Sequence, residues 1–329
     1  MLALYRHDGV AAVPSDLDAA TLPPDIIWLD LINPSPEEVA FVERVTRLHM
    51  PSFDDLSEIE ASSRLYVENG ALFLSAPLVH RGDAERPEPT PVGFVLTRDW
   101  LVTVRFKPLV AFATFIQAMG RPDSPHATGA AVFAGLTGAV VDRLADVLET
   151  IAADLDALSH RLFRVTQGPG RAHRPAREQA DLRHALQRVG RGGDLASQIR
   201  DALLGIARIV PFVAVHGADW MAEEVKTELE TVRHDVASLS DYDAHLLNKV
   251  QLLLDATLGL INIEQNNIIK VLTIVSVVGV PPTLVASLYG MNFKTMPELD
   301  WAWGYPYGLT LIFLSAILPI VWFKLRGWF

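Results

Sequence analysis

No cysteine occurs in the 329 residues. That excludes a disulfide framework, a thiolate zinc site and a cysteine nucleophile. Basic residues are in the minority, 28 Lys and Arg against 39 Asp and Glu, for a formal net charge of −11. Such a chain repels phosphate, so nucleic acid is not an expected partner. No GxxxxGK[ST] loop is present to cradle a nucleotide. No nucleophile and base stand at a recognisable spacing, so no catalytic residue is assigned and an enzyme is not expected. The stretch MLALYRHDGV carries Arg6, His7 and Asp8 and lacks an apolar core, which argues against a signal peptide. What is abundant is apolar: 50% of residues are hydrophobic, and the mean hydropathy is +0.23. A chain half apolar can bury a large core, so disorder is excluded as well.

The acidity and the hydropathy occupy different parts of the chain. Residues 271–329 hold Lys294, Lys324 and Arg326 against Glu298 and Asp300, a net of +1, which leaves −12 of the total −11 on residues 1–270. Residues 271–289 (VLTIVSVVGVPPTLVASLY) and 301–323 (WAWGYPYGLTLIFLSAILPIVWF) are free of formal charge. Each meets the roughly 20 residues needed to cross about 30 Å of hydrocarbon. The link GMNFKTMPELD, 290–300, makes them a transmembrane hairpin. Lys270 precedes the first span and Lys324 and Arg326 follow the second. The positive-inside rule therefore places both chain ends in the cytoplasm and the link outside, in a multi-pass protein of the inner (plasma) membrane. Trp301, Trp303, Tyr305 and Tyr307 then belong to the outer interface, Trp322 and Trp328 to the inner one.

The body reads as mixed α/β over 1–125. IIWLDLI (26–32) is strand-like, and PSPEEVAFVERVTRLH (34–49) is a helix with Pro and acids in its first turn. Residues 64–80 and 91–106 each read as two strands, turning at Glu68-Asn69-Gly70 and at Arg98-Asp99. A helix fits 108–119. A cytoplasmic helical region, 126–217, follows, with one long helix over 130–163, a Gly/Pro break at 168–179 and a second helix over 176–213 interrupted by Pro211 and Gly217. A third, 218–289, runs as stalk and pore helix into the first span. The loop 290–300, the second span 301–323 and a basic tail 324–329 complete the order.

Placed on a helix at 100° per residue, Asp255, Gly259, Asn262, Asn266, Thr273 and Ser287, with the aliphatic Ile269 and Val280, fall within about 40° of one direction. Thr283 lies further off, beside Pro281 and Pro282, which are expected to kink the helix. Polar groups at membrane depth face a bundle interior or a water-filled path. Helix–helix packing accounts for a lone Ser or Thr; Asp255, Asn262 and Asn266 in register favour a conduction path. One hairpin cannot enclose a pore, so the path requires several copies around an axis. Carboxylate, amide and hydroxyl oxygens suit hard cations such as Mg²⁺. Rings of Ile269, Leu272 and Val280 would close such a path by dewetting.

Tyr289-Gly290-Met291-Asn292 at the end of the first span, with Met296-Pro297-Glu298-Leu299 after it, resembles the CorA family of magnesium transport proteins. GMN by itself also reads as a helix C-cap with a left-handed glycine; GMN at a span end before MPEL and a short second span is specific. The likeness extends through INIEQNNIIKVLTIVSVVGVPPTLVASLYGMN and on to WFKLRGWF, and DDLSEIEASSRLY (54–66) resembles the family's cytoplasmic domain. The resemblance implies a homopentameric funnel with an α/β cytoplasmic domain, long stalk helices and a two-helix transmembrane hairpin. It implies a selectivity filter for hydrated Mg²⁺ at Asn292, Gly290 and Met291 beside Tyr289, metal contacts at Asn292 and Asp255, and pore-lining positions at Asp255, Asn266 and Thr283. It implies constrictions at Ile269, Leu272 and Val280. Mg²⁺ is then both substrate and regulator, with Co²⁺ and Ni²⁺ as secondary ions, and no organic cofactor is expected. Lys294 stands where many relatives have an acid, leaving Glu298 and Asp300 as the acids of the outer loop. The alternative is a ZntB-like Zn²⁺ transporter of the same superfamily, to which His160, His173, His184, His216, His234 and His245 would lend ligands; their spacings contain no HxxxH pair.

Overall fold

A computed structural model describes residues 1–7, 9, 11–12, 17, 21–23, 25–58, 60, 64–80, 87–121, 126–165, 175–291 and 296–328. The elements in order are β1 (Leu2–Arg6), β2 (Ala11–Ala12), β3 (Ile26–Ile32), α1 (Pro36–Thr46), α2 (Phe53–Ser57), β4 (Leu65–Glu68), β5 (Ala71–His80), β6 (Glu88–Leu96) and β7 (Leu101–Arg105). Then come α3 (Val110–Met119), α4 (Gly129–Val165), α5 (Pro175–His216), α6 (Glu223–Tyr289), a 3₁₀ turn (Pro297–Asp300) and α7 (Gly304–Leu325). The chain divides into two compact units, one of Met1–Gln167 with Gln187–Leu254 and the other of Gly168–Leu186 with Asp255–Phe329.

The first unit is built on a seven-stranded sheet in the order β2-β1-β3-β7-β6-β5-β4. All neighbours run antiparallel except β3 and β7, which pair parallel from Trp28↔Leu101 to Ile32↔Arg105. Strands β1, β3, β5 and β7 are buried over nearly their whole length, as a sheet covered on two faces requires, whereas the edge strand β4 is largely exposed. Leu29 and Leu31 of β3 join Phe41, Val42, Leu48 and Leu56 in one core cluster. Trp28 points the other way, stacking on Tyr5 at 4.5 Å and meeting Phe112 of α3. The hairpin at Asn69-Gly70 has both residues at positive φ, 51° and 78°, as a type I′ turn demands.

Helices α1 and α2 each open on a capping box, Ser35 with Glu38 and Ser52 with Asp55. Glu38 also accepts from the Leu2 N–H at 2.8 Å, which fixes β1 beside α1. Three ion pairs tie the long helices of this unit. Arg188 of α5 meets Asp154 of α4 at 3.1 Å, Lys249 of α6 meets Asp156 of α4, and Arg200 of α5 meets Asp243 of α6 at 3.1 Å. Gly193 lets α5 approach α6 closely, since a Cβ there would lie 2.9 Å from Val250.

Four expectations need correction. The strands β1 and β2 have no counterpart in the pattern reading; Leu2, Ala3, Leu4 and Tyr5 are core residues. Pro211 does not interrupt α5, which continues to His216 and ends at Gly217. The stalk helix starts at Glu223 rather than 218. Trp301 and Trp303 precede the second span helix, which begins at Gly304 after the 3₁₀ turn. A proline costs a helix one backbone bond and a local clash, and packing of α5 on both sides outweighs that here. Ile209, Val210 and Val213, which flank Pro211, are buried.

Candidate functional site: the polar face of α6

Helix α6 runs without a break through 67 residues and passes Pro281 and Pro282. Its buried seam is Leu246, Val250, Leu253 and Thr257, spaced by three and four. Asp255 is two residues from both Leu253 and Thr257, about 200° round the helix, so it lies opposite that seam. The polar series continues on Asp255's side. Asp255, Gly259, Asn262 and Asn266 are exposed, Thr273 is half-buried, and Thr283 and Ser287 are exposed. Ile269 and Val280 lie on the same face with 60% and 61% of their surface accessible, and Leu272 stands about a quarter turn away at 64%. Such exposure of large aliphatics is costly in water and requires lipid or protein around it.

Thr273 and Thr283 donate their hydroxyls to the carbonyls of Ile269 and Gly279, each at 2.8 Å. The proton is thus engaged along the helix, and the oxygen lone pairs are left for an outside donor or a cation's water. The helix ends through backbone bonds from Gly290 to the Ala286 carbonyl at 3.0 Å and from Met291 to the Leu288 carbonyl at 3.3 Å. Positive φ among the described glycines occurs at Gly9, Gly70 and Gly327, so Gly290 is not a left-handed cap. Its carbonyl neighbourhood is tight instead: a Cβ would lie 3.3 Å from the Ala286 oxygen. Asn292 and Lys294 lie outside the described residues. Glu298 and Asp300 sit in the 3₁₀ turn before α7, Asp300 exposed and Glu298 half-buried. Tyr289 is half-buried and Met291 exposed.

Helical spacing along α6 puts Asp255, Asn262, Asn266, Ile269, Thr273 and Val280 on one line. The structure gathers no three His, Asp or Glu residues into a metal cluster among the described residues. The histidines have other company: His216 stacks on Phe212 at 4.2 Å, and His234 lies 3.4 Å from Glu230 on its own helix. His173 lies outside the described residues.

Pattern reading missed one polar group set inside the first unit. Asp30 and Arg105 are buried, at 0% and 4% exposure, and pair twice, Nε to Oδ1 at 3.1 Å and the terminal nitrogen to Oδ2 at 2.7 Å. Thr103 donates to Asp30 at 2.7 Å and accepts from the Trp28 indole at 3.0 Å. The lone acid inside IIWLDLI and the lone base ending LVTVR were the available signals. On the long helices, partial desolvation first, and then the neighbouring Asp235 and Asp146, push the carboxyl of the exposed Asp142 above its ordinary range. Burial also raises Asp243, against the pull of Arg200.

Residues 24–325 match the family described as CorA-like Mg²⁺ transporter protein. The magnesium transport protein CorA of Pasteurella multocida is 34% identical over 302 residues, 92% of each chain. The complete structure of the CorA magnesium transporter from Methanocaldococcus jannaschii superposes with a TM-score of 0.73 at 16% identity, covering 100% of this chain and 99% of that one. The ZntB cytoplasmic domain from Vibrio parahaemolyticus shares the fold over 79% of this chain and 97% of its own, with a TM-score of 0.53 at 13% identity. The two apolar helices α6 and α7 are long enough to cross a membrane, and the α/β unit, long helices and apolar C-terminal helix follow the full-length architecture. This chain belongs to the CorA-like Mg²⁺ transporter family, whose members are transport proteins and not enzymes.

Proposed function

We propose that the chain forms a homopentameric channel that passes hydrated Mg²⁺ into the cell down the membrane potential. The observation that carries this reading is the polar, oxygen-bearing face of α6 that runs from Asp255 through Asn262, Asn266 and Thr273 toward the GMN end. Copies of α6 around an axis turn that face into rings. Mg²⁺ gives up its water reluctantly, so amide and hydroxyl oxygens that bind the water shell select it without stripping it. The ring of Asn292, with the Gly290 and Met291 carbonyls and Tyr289 beside it, is the outer selectivity site. Thr283 and Ser287 line the path below it, and Ile269, Leu272 and Val280 close it when dry. A divalent ion gains about 4.6 kcal/mol per 100 mV on entry, so no nucleotide is required. Glu298 and Asp300 draw cations to the mouth, and Lys294 weakens that pull. Both termini lie in the cytoplasm of an inner-membrane protein, where Mg²⁺ bound by the acidic body closes the path. Co²⁺ and Ni²⁺, which share octahedral hydration, follow as secondary ions. The zinc reading is disfavoured by the MPEL run that follows GMN and by histidine spacings that contain no HxxxH pair.

The deciding measurement is flux into proteoliposomes of Mg²⁺, Co²⁺ and Zn²⁺ in parallel, with and without a pH gradient. Asn292→Ala is expected to abolish Mg²⁺ uptake while the oligomer stays assembled. Unchanged uptake would remove Asn292 from the selectivity site, and proton-driven Zn²⁺ flux would favour the zinc transporter.

A further inference from the structure

A second feature of the span region borders the polar face of α6, Val277 standing about 40° from Thr273 around the helix. A groove of about 570 Å³ is lined by Val277 of α6 and by Leu318, Pro319, Val321, Trp322 and Leu325 of α7. It is an open trough rather than an enclosed cavity, and its wall residues are all apolar. Its rim at the C-terminal end of α7 is cationic. The Arg326 guanidinium lies 5.5 Å from the centroid of the Trp322 ring, so a wall residue of the groove holds a positive charge at the mouth. Lys324 is exposed beside it. On α6, Lys270 is seven residues before Val277, about 20° from it around the helix and about 10.5 Å along it. Both helices therefore bring a cation to the same end of one apolar trough. Residues 301–329 contain no acid to neutralise them.

That end of α7 is ordered by its own bonds. Gly327 has φ +71°, the Trp328 N–H donates to the Phe323 carbonyl at 3.1 Å, and the Gly327 N–H donates to the Lys324 carbonyl at 3.2 Å. This is a Schellman turn. It folds Trp328 back onto the buried Phe323, ring centres 5.0 Å apart, and the Trp322 ring meets Phe323 edge-on at 5.2 Å. Indole rings at a span end sit at headgroup depth.

We propose that this groove binds one acyl chain of an anionic phospholipid in the leaflet at that end, with the lipid phosphate held by Arg326 and Lys324 and approached by Lys270. The charge favours a lipid over the α7 of a second copy. A second copy's α7 carries the same Lys324 and Arg326 and no acid of its own, so it would oppose like charges, whereas an anionic headgroup neutralises them. The inference rests on α6 and α7 lying in a bilayer, and its readout is lipid rather than ion flux, so it fails or stands apart from the channel reading.

The test exposes the delipidated full-length protein to vesicles of phosphatidylcholine alone or phosphatidylcholine with phosphatidylglycerol. Retained phospholipid per chain is then read by native mass spectrometry. Wild type is expected to retain phosphatidylglycerol over phosphatidylcholine. Lys324→Gln with Arg326→Gln is expected to cut phosphatidylglycerol retention about 30-fold, about fivefold for each cation removed from an anionic surface. Leu318→Trp, which fills the groove, is expected to lower retention of both lipids without dissociating the oligomer. Equal retention of the two lipids, or unchanged phosphatidylglycerol in the double variant, overturns the proposal. So does a Leu318→Trp chain that loses its oligomer while its lipid count stays the same, which assigns the groove to a second copy.

Discussion

The sheet unit and the span helices treat polar groups in opposite ways. In the first unit Asp30 and Arg105 are buried, and every contact they need comes from the same chain: a paired fork between them, Thr103, and the Phe112 ring 4.5 Å from the guanidinium. In the span helices the polar residues of α6 stand exposed, and so do the aliphatics around them. One region is finished by a single chain in water. The other is unfinished by the chain alone, because exposed Val275, Leu284, Phe313 and Leu318 cannot stay in water at that density. Single substitutions should therefore act on stability in the first region and on transport in the second.

The largest effect tests the first half of that contrast. Asp30→Ala leaves the Arg105 charge buried without its carboxylate, and breaking a buried pair from one side costs about 3–5 kcal/mol. Urea denaturation of the full-length protein, followed by circular dichroism, should show the loss as a lowered midpoint. Replacing both residues together, Asp30→Leu with Arg105→Met, should recover much of it, since a packed apolar pair often does as well as a buried ion pair. A single variant as stable as wild type would mean that water already reaches Arg105.

The next prediction tests the other half. Asp255→Leu removes an exposed carboxylate on the face opposite the buried seam of α6. It should change Mg²⁺ flux or its inhibition by internal Mg²⁺ by tenfold or more, on the order of the ~1.4 kcal/mol that a tenfold change represents, with a much smaller change in unfolding. Wild-type flux with lowered stability would return Asp255 to a structural role and blur the contrast between the regions.

What was legible in the sequence follows the same division. The spans and the polar stripe could be read because a helix repeats every 3.6 residues whatever its partners are. IIWLDLI, the Asn69-Gly70 hairpin and the capped helix after Ser35 could be read because their signals are local. Strand β1 could not. Its five residues, LALYR, become core only because β2 and β3 flank them and Glu38, 36 residues on, takes the Leu2 N–H. The Asp30–Arg105 fork is likewise a product of the parallel β3–β7 register, with 75 residues between the partners. Pro211 was misread because local cost was weighed without the packing around it. The GMN end is legible as a motif, and the geometry of Asn292 lies outside what the structure describes.

The smallest predicted effect tests whether acidity in the body is a burden or a device. Asp142 is exposed, yet partial desolvation and the fields of Asp235 and Asp146 raise its pKa above that of an ordinary aspartate. For an acid whose folded pKa is raised, the stabilising contribution is present below the unfolded pKa and is lost as pH rises through the folded one. The folded body should therefore lose a little stability from this group as pH climbs from about 4 through the raised value. Asp142→Asn removes the like-charge repulsion and should flatten that slope, with neutral-pH stability moving upward by no more than about 0.5 kcal/mol. Thermal melts of the wild-type and variant chains at pH 4, 5.5 and 7 measure it. Added Mg²⁺ separates the two roles. If the carboxylates only repel, Mg²⁺ at neutral pH stabilises wild type and variant alike. If Asp142 and Asp235 hold Mg²⁺ between them, the Mg²⁺-induced shift in melting shrinks in Asp142→Asn.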